Sequence, residues 1–124
     1  MSDVFNDQRK FMRACDQTVD IWNQDQFNLY SRLIAEEVDE LWEANSQADA
    51  VACLDALIDI MVVTVGALHS LGVDSEGAWK EVMRSNFDKI DPRSGRVTKR
   101  DDGKVLKPDN WEPPRLERFV DTNR

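Results

Sequence analysis

The stretch that decides the fold is residues 33–41, LIAEEVDEL, followed by residues 55–62, DALIDIMV. At 3.6 residues per turn, each stretch predicts an α-helix whose acidic side chains interrupt an apolar face. Glu37 falls in the middle of the apolar face of the first helix, and Asp55 and Asp59 lie one turn apart on the second. Solubility alone does not call for carboxylates at these positions, so they predict a binding or catalytic site.

Apolar residues at helical spacing extend these two helices and predict two more. The expected helices cover about residues 2–20, 28–47, 49–71 and a segment that begins near residue 75. Gly72 suits the end of the third helix, and Asp74 or Ser75 suits the N-cap of the fourth. Trp42 and Trp79 fall on apolar stripes and are expected in the core.

The four prolines all follow residue 91 and predict an irregular tail. Turns are expected at residues 91–95 and 101–103, a short extended piece at 96–99, and Trp111 as an anchor of the tail. We therefore predict one all-α domain over residues 1–124, a four- to five-helix bundle. Its helical body covers about residues 3–90 and its tail about residues 91–124.

The third helix is apolar on nearly its whole circumference, which predicts burial on most sides. Gly66 leaves room on the side that carries Asp55 and Asp59. Two aspartates in mid-helix argue against a transmembrane span. Because four helices cannot easily cover such a segment, the pattern favours a homo-oligomer.

Charge is unevenly distributed and limits the classes of partner. Residues 1–83 carry 5 basic and 16 acidic side chains, and residues 84–107 carry 8 basic and 4 acidic ones. An acidic body argues against a nucleic-acid polymer, whereas a short basic segment suits a small polyphosphate or is simply a solvated loop. Cys15 and Cys53 have no disulfide or metal spacing and are expected as small buried residues. With no apolar leader in view, a cytoplasmic location is expected.

The acidic side chains of the two central helices need neutralising charge, and these helices offer only Arg32. Clustered carboxylates are natural ligands of Mg²⁺ or Mn²⁺. A di-iron bundle would need Glu-x-x-His pairs, but His69 is the only histidine. A solvated acidic face explains the outward Asp39 and Glu43 but not the carboxylates at apolar positions. The predicted metal ligands are Glu36, Glu37, Glu40, Asp55 and Asp59.

Three blocks of this sequence resemble the all-α nucleotide pyrophosphohydrolases, the MazG and phosphoribosyl-ATP pyrophosphohydrolase-like superfamily. The blocks are E-E-x-x-E at 36–40 with Asp59, S-N-x-x-K at 85–89, and G-K-V-x-K at 103–107 with Pro113-Pro114. They are similar to compact, MazZ-like viral members and cover about residues 30–116. Where the family has glutamate three residues before Asp59, this chain has Ala56, with Asp55 as the nearest acid.

The resemblance implies metal-dependent hydrolysis of a nucleoside triphosphate, with a purine such as dGTP expected, to the monophosphate and pyrophosphate. It implies Mg²⁺ or Mn²⁺, more than one ion per site, and Glu36 or Glu37 as the proton acceptor. The residues assigned to the phosphates are Asn86, Lys89, Lys104 and Lys107. Trp22 and Asn23 are assigned to the base because a ring and an amide precede the acidic helix.

The family's sites are built across subunit interfaces, so we expect a homotetramer before a dimer. Two alternatives stay open. One is hydrolysis of phosphoribosyl-ATP, and the other is a non-catalytic helical interaction module.

Overall fold

The computed structural model describes residues 3–120, which divide into two compact units, residues 3–73 and Asp74–Val120. The described chain contains four α-helices and little strand, so the predicted all-α class is confirmed. The assignment of residues 1–124 to one domain stays a prediction.

The first unit contains three helices: α1 (Val4–Ala14), α2 (Gln24–Ser46) and α3 (Ala50–Leu71). Both α1 and α2 pack against α3. Only residues 47–49 join α2 to α3, a length typical of an antiparallel helical hairpin. This hairpin is the element that carries the acidic side chains.

Side-chain caps fix where the helices begin. The side chain of Asp3 accepts from the Phe5 amide at 3.0 Å, that of Asn23 from Gln26 at 3.1 Å and that of Asp49 from Ala52 at 3.0 Å. Each such cap stabilises a helix by about 1 kcal/mol. Gly72 ends α3 in the left-handed region at φ 70°, as predicted.

Two predicted boundaries were wrong. α1 ends at Ala14 rather than near residue 20, because Asp16 and Asp20 adopt positive φ values of 58° and 61°. As a result Cys15 is exposed rather than buried. α2 begins at Gln24, four residues earlier than predicted, because Asn23 supplies the cap within the presumed connector.

The core of the first unit is centred on Met12, Tyr30 and Ala67, one residue from each helix. Gly66 does not leave an open space as predicted, since a Cβ there would overlap the Tyr30 ring. Buried polar atoms are paired beside this core. The Gln26 amide donates to Ser70 Oγ at 2.8 Å, and that hydroxyl donates to the Gly66 carbonyl at 2.8 Å.

The prediction that α3 is buried on most sides does not hold for the single chain. One side of α3, here called the apolar α3 face, is exposed; it consists of Val51, Leu54, Leu57, Ile58, Met61 and Val62. By length and composition α3 is able to cross a membrane, a test that core helices of soluble proteins also pass. Trp42 and Trp79 are 67% and 61% exposed, so their placement in the core was wrong. Their apolar stripes face away from the packed interior of a single chain.

The second unit begins with α4 (Ser75–Phe87), capped by Asp74 as predicted, with the Gly77 amide donating at 3.0 Å. Two short strands, β1 (Ile90–Asp91) and β2 (Arg96–Val97), pair antiparallel with Ile90 opposite Val97. Gly95 and Gly103 have φ values of 69° and 89° and close the two predicted turns. A 3₁₀ turn, Glu117–Phe119, packs on α4.

Candidate active site

Glu37 lies on α2, in the helical hairpin, and its carboxyl group has a raised pKa. Its Oε2 atom is buried and has no hydrogen-bond partner within residues 3–120. Burial raises the pKa of Glu37, the adjacent Glu40 carboxyl raises it further, and the charges of Asp59 and Asp55 add to the effect. A buried acceptor without a donor is costly unless a cation or proton satisfies it.

Glu37 and the three carboxylates that raise its pKa come from two helices. Glu37 and Glu40 belong to α2, and Asp55 and Asp59 belong to α3. Asp59 is half-buried, while Glu40 and Asp55 are exposed. The structure therefore brings four of the five predicted ligands into one electrostatic group, here called the acidic group. Glu36 is exposed on α2 and does not contribute to the raised pKa of Glu37.

Among residues 3–120, no cationic side chain is paired with the acidic group. All of its donor atoms are carboxylate oxygens, which suit a hard divalent cation such as Mg²⁺ or Mn²⁺. The orphaned Glu37 oxygen and this donor chemistry fit a metal ion. Nonetheless, no three Asp, Glu, His or Cys side chains in residues 3–120 are gathered closely enough to form a ready-made ion site.

A second candidate region lies in the second unit, where a cavity of about 920 Å³ opens beside the end of α4. Lys89 and Lys107 line it together with Trp111. The Lys89 ammonium donates to Asn86 Oδ1 at 3.0 Å. Three of the four predicted phosphate-binding residues are thus neighbours. Lys104 does not line this cavity and lies exposed in the tail.

The two predicted base-binding residues, Trp22 and Asn23, contact other residues of the first unit. Asn23 caps α2 through Oδ1, donates from Nδ2 to Thr18 Oγ1 at 2.9 Å and donates its backbone amide to Ser70 at 2.9 Å. The half-buried Trp22 ring lies 6.0 Å from the Phe27 ring. These contacts account for both residues without a ligand, and their role toward a base stays a prediction.

Sequence reasoning missed the role of Glu81, which is 8% exposed on α4. Its carboxylate pairs with Arg84 at 3.0 Å and accepts from the Arg115 amide at 2.7 Å. The Arg84 hydrogen bond is the largest cause that lowers the pKa of Glu81 to about 2. The pairing of Glu81 with Arg84 could have been predicted from the sequence, because side chains three residues apart are neighbours on a helix. The contact of Glu81 with the Arg115 amide could not have been predicted in this way, because it depends on how the tail folds.

Comparison with known families adds an independent observation. The family model of phosphoribosyl-ATP pyrophosphohydrolase matches residues 8–86. That stretch contains the acidic group and ends before Lys89, so the tail lies outside it. No curated protein is significantly similar to the chain. Since well over half of its residues match, the chain belongs to the phosphoribosyl-ATP pyrophosphohydrolase family, part of the MazG-like all-α superfamily of nucleotide pyrophosphohydrolases.

Proposed function

We propose that this pyrophosphohydrolase acts on a nucleoside triphosphate, canonical or unusual, and releases the monophosphate and pyrophosphate, with a purine deoxynucleotide such as dGTP as the expected substrate. The observation that carries the proposal is the buried, unpartnered Oε2 of Glu37 within the acidic group. Negative charge held without a basic partner is a natural place for a divalent cation that bridges protein and phosphate oxygens.

The residues that would hold Mg²⁺ or Mn²⁺ are Glu37, Glu40 and Asp59, with Asp55 and Glu36 as further candidates for a second ion. When bound, such ions neutralise phosphate charge and lower the pKa of a coordinated water. Phosphoryl transfer requires in-line positioning and charge stabilisation more than covalent help from the protein.

The chain's own contribution to the reaction is proton transfer and positioning. The water oxygen bonds to phosphorus, the bridging phosphorus–oxygen bond breaks, and pyrophosphate leaves. Glu36 or Glu37 accepts the proton of the water. Asn86, Lys89, Lys104 and Lys107 hold the phosphates, and Trp22 and Asn23 contact the base.

Phosphoribosyl-ATP is the second candidate substrate because the matched family carries its name. The match stops at residue 86, however, so it does not include the lysines of the tail. Because Lys89, Lys104 and Lys107 are proposed to hold phosphates and lie beyond the matched region, we place a nucleoside triphosphate ahead of phosphoribosyl-ATP. A non-catalytic helical module is the remaining alternative. It is supported by the absence of a ready-made ion site in residues 3–120.

A homo-oligomer is part of the proposal, with a tetramer favoured over a dimer. The apolar α3 face is exposed in the single chain and belongs to the same helix as Asp55 and Asp59. Exposed apolar side chains in such a continuous set are typical of an interface between subunits. We expect the assembled enzyme in the cytoplasm, of a host cell if the source is viral, with no membrane or nucleic-acid polymer as partner.

Pyrophosphate release tests the proposal directly. The wild type, Glu40→Gln and Asp59→Asn are assayed with dNTPs, NTPs and phosphoribosyl-ATP, with Mg²⁺ or Mn²⁺ and with EDTA. We expect metal-dependent release that is greatest with a purine dNTP and lost in both variants. Greatest activity on phosphoribosyl-ATP would select the second candidate. No release from any nucleotide, with no change of melting temperature on adding metal, would leave the helical module.

A further inference from the structure

The Trp111 ring is fixed in place by contacts at its edge and its backbone. Its indole Nε1 donates to the carbonyl of Ser85 at 2.6 Å, and its amide donates to the Pro108 carbonyl at 3.0 Å. Ser85 is 2% exposed and lies in the last turn of α4, where carbonyls lack partners within the helix. The indole satisfies one of these carbonyls and, as predicted, anchors the tail.

Two ammonium groups lie against this one ring. Lys107 Nζ is 4.6 Å and Lys89 Nζ is 5.3 Å from the ring centroid, both within the range of a cation–π interaction. Two like charges near each other repel and cost side-chain entropy to hold. An aromatic face that attracts both offsets part of this cost before any ligand arrives.

The charges around the cavity leave these two lysines available for an anion. Within the described residues, neither Lys89 nor Lys107 forms an ion pair. The lining contains three acidic side chains, and each is engaged within the second unit. Asp91 Oδ1 accepts the backbone amide of Arg93 at 2.8 Å. Asp88 pairs with Arg84 at 2.7 Å, and Glu112 pairs with Arg115 at 3.5 Å.

We propose that Trp111 is a positioning residue that holds Lys89 and Lys107 side by side as a cradle for the outer phosphates of the substrate. The inference rests on the proposed function, because it assumes that the cavity receives a polyphosphate. Beyond that function, we infer that the tail binds the polyphosphate through the two lysines that the Trp111 ring positions. Trp111 itself does not contact the reacting atoms.

A merely structural tail anchor is the competing explanation, and the chain offers variants that separate the two. Trp111→Phe removes the N–H donated to Ser85 but keeps an aromatic face. Trp111→Leu removes both. Trp79→Leu changes another tryptophan that is exposed on α4, and among residues 3–120 no ammonium group lies over its ring, so it serves as the matched control.

The experiment measures binding of inorganic tripolyphosphate and of a nucleoside monophosphate to the full chain by calorimetry. For Trp111→Leu we expect the tripolyphosphate Kd to rise roughly fivefold, as loss of about 1 kcal/mol of cation–π attraction implies. The monophosphate Kd should stay unchanged, and Trp111→Phe should retain most of the affinity. In a Lys89→Met/Lys107→Met background, Trp111→Leu should have no further effect.

Two results would overturn the inference while leaving the hydrolase intact. One is an equal loss of affinity from Trp111→Phe and Trp111→Leu; the other is an undiminished effect of Trp111→Leu when both lysines are methionine. Absence of tripolyphosphate binding by the wild type would overturn it as well. Failure of the wild type to release pyrophosphate counts against the proposed function alone, since the binding comparison does not require turnover.

Discussion

The Glu81 carboxylate on α4 accepts a hydrogen bond from the backbone amide of Arg115 at 2.7 Å, although 34 positions separate the two residues. Arg84 donates to the same carboxylate from Nε and Nη2 at 3.1 and 3.0 Å, and Arg118 approaches it at 3.5 Å. One buried carboxylate therefore joins α4 to two points of the tail. The low pKa of Glu81, about 2, follows from these contacts.

The stability of the second unit should depend on pH through Glu81. Its pKa is lowered from 4.5 to about 2, so the folded state favours the ionised form. This contribution is complete above the unfolded pKa near 4.5 and is lost as pH falls toward 2. We expect Glu81→Gln to lower the melting temperature at pH 7 and the difference from the wild type to shrink between pH 4.5 and 2. If the difference in melting temperature between the wild type and Glu81→Gln stayed constant from pH 4.5 to pH 2, Glu81 would not be the source of the pH dependence.

Tyr30 and Gly66 form a close contact between α2 and α3 that should not tolerate an added methyl group. A Cβ at position 66 would overlap the Tyr30 ring. Helix propensity alone favours alanine over glycine by about 1 kcal/mol. We nevertheless expect Gly66→Ala to destabilise the protein by about 1–3 kcal/mol, the typical cost of overpacking, in urea unfolding. Replacing Tyr30 with leucine in the same chain should reduce that cost, and an unchanged cost would place the strain elsewhere.

The sequence predicted best what depends on local spacing. Helical periodicity located α3, and the Asp74 cap located the start of α4, because these signals act within one turn. Helical spacing also placed the Glu37 carboxylate on the apolar face of its helix, which marked it as a candidate site residue. It failed for Trp42 and Trp79, since an apolar stripe does not reveal whether a neighbour in the same chain covers it. Contacts made by the tail, such as that of Trp111 with Ser85, depend on turns whose direction local spacing does not encode.

Glu37 gives a stability test of metal binding that does not require turnover. Its raised pKa means that the ionised carboxylate costs stability at neutral pH when no cation is present. We expect Glu37→Gln to raise the melting temperature in EDTA, because it removes that cost. Mg²⁺ at a hundred times its Kd should stabilise the wild type by about 2.7 kcal/mol. The same ion should leave Glu37→Gln nearly unchanged; equal stabilisation of both would show that the ion binds elsewhere.

The apolar α3 face should be an interface between copies of this chain. Ile58 lies on it with 49% of its surface exposed. A charge buried there without a partner costs several kcal/mol on association. We expect Ile58→Glu to raise the subunit dissociation constant by at least about 100-fold, or about 2.7 kcal/mol, in analytical ultracentrifugation.

Phe11, 60% exposed on α1, provides the matched control for this test. Phe11→Glu places the same charge on a helix that carries no part of the apolar α3 face, so it should leave the assembly intact. If catalysis needs the assembled subunits, Ile58→Glu should lose pyrophosphate release at concentrations where it is monomeric and regain it as concentration rises. Activity that does not vary with concentration in a monomeric Ile58→Glu variant would separate the site from the interface. A wild type that sediments as a monomer at all concentrations would reject the interface itself.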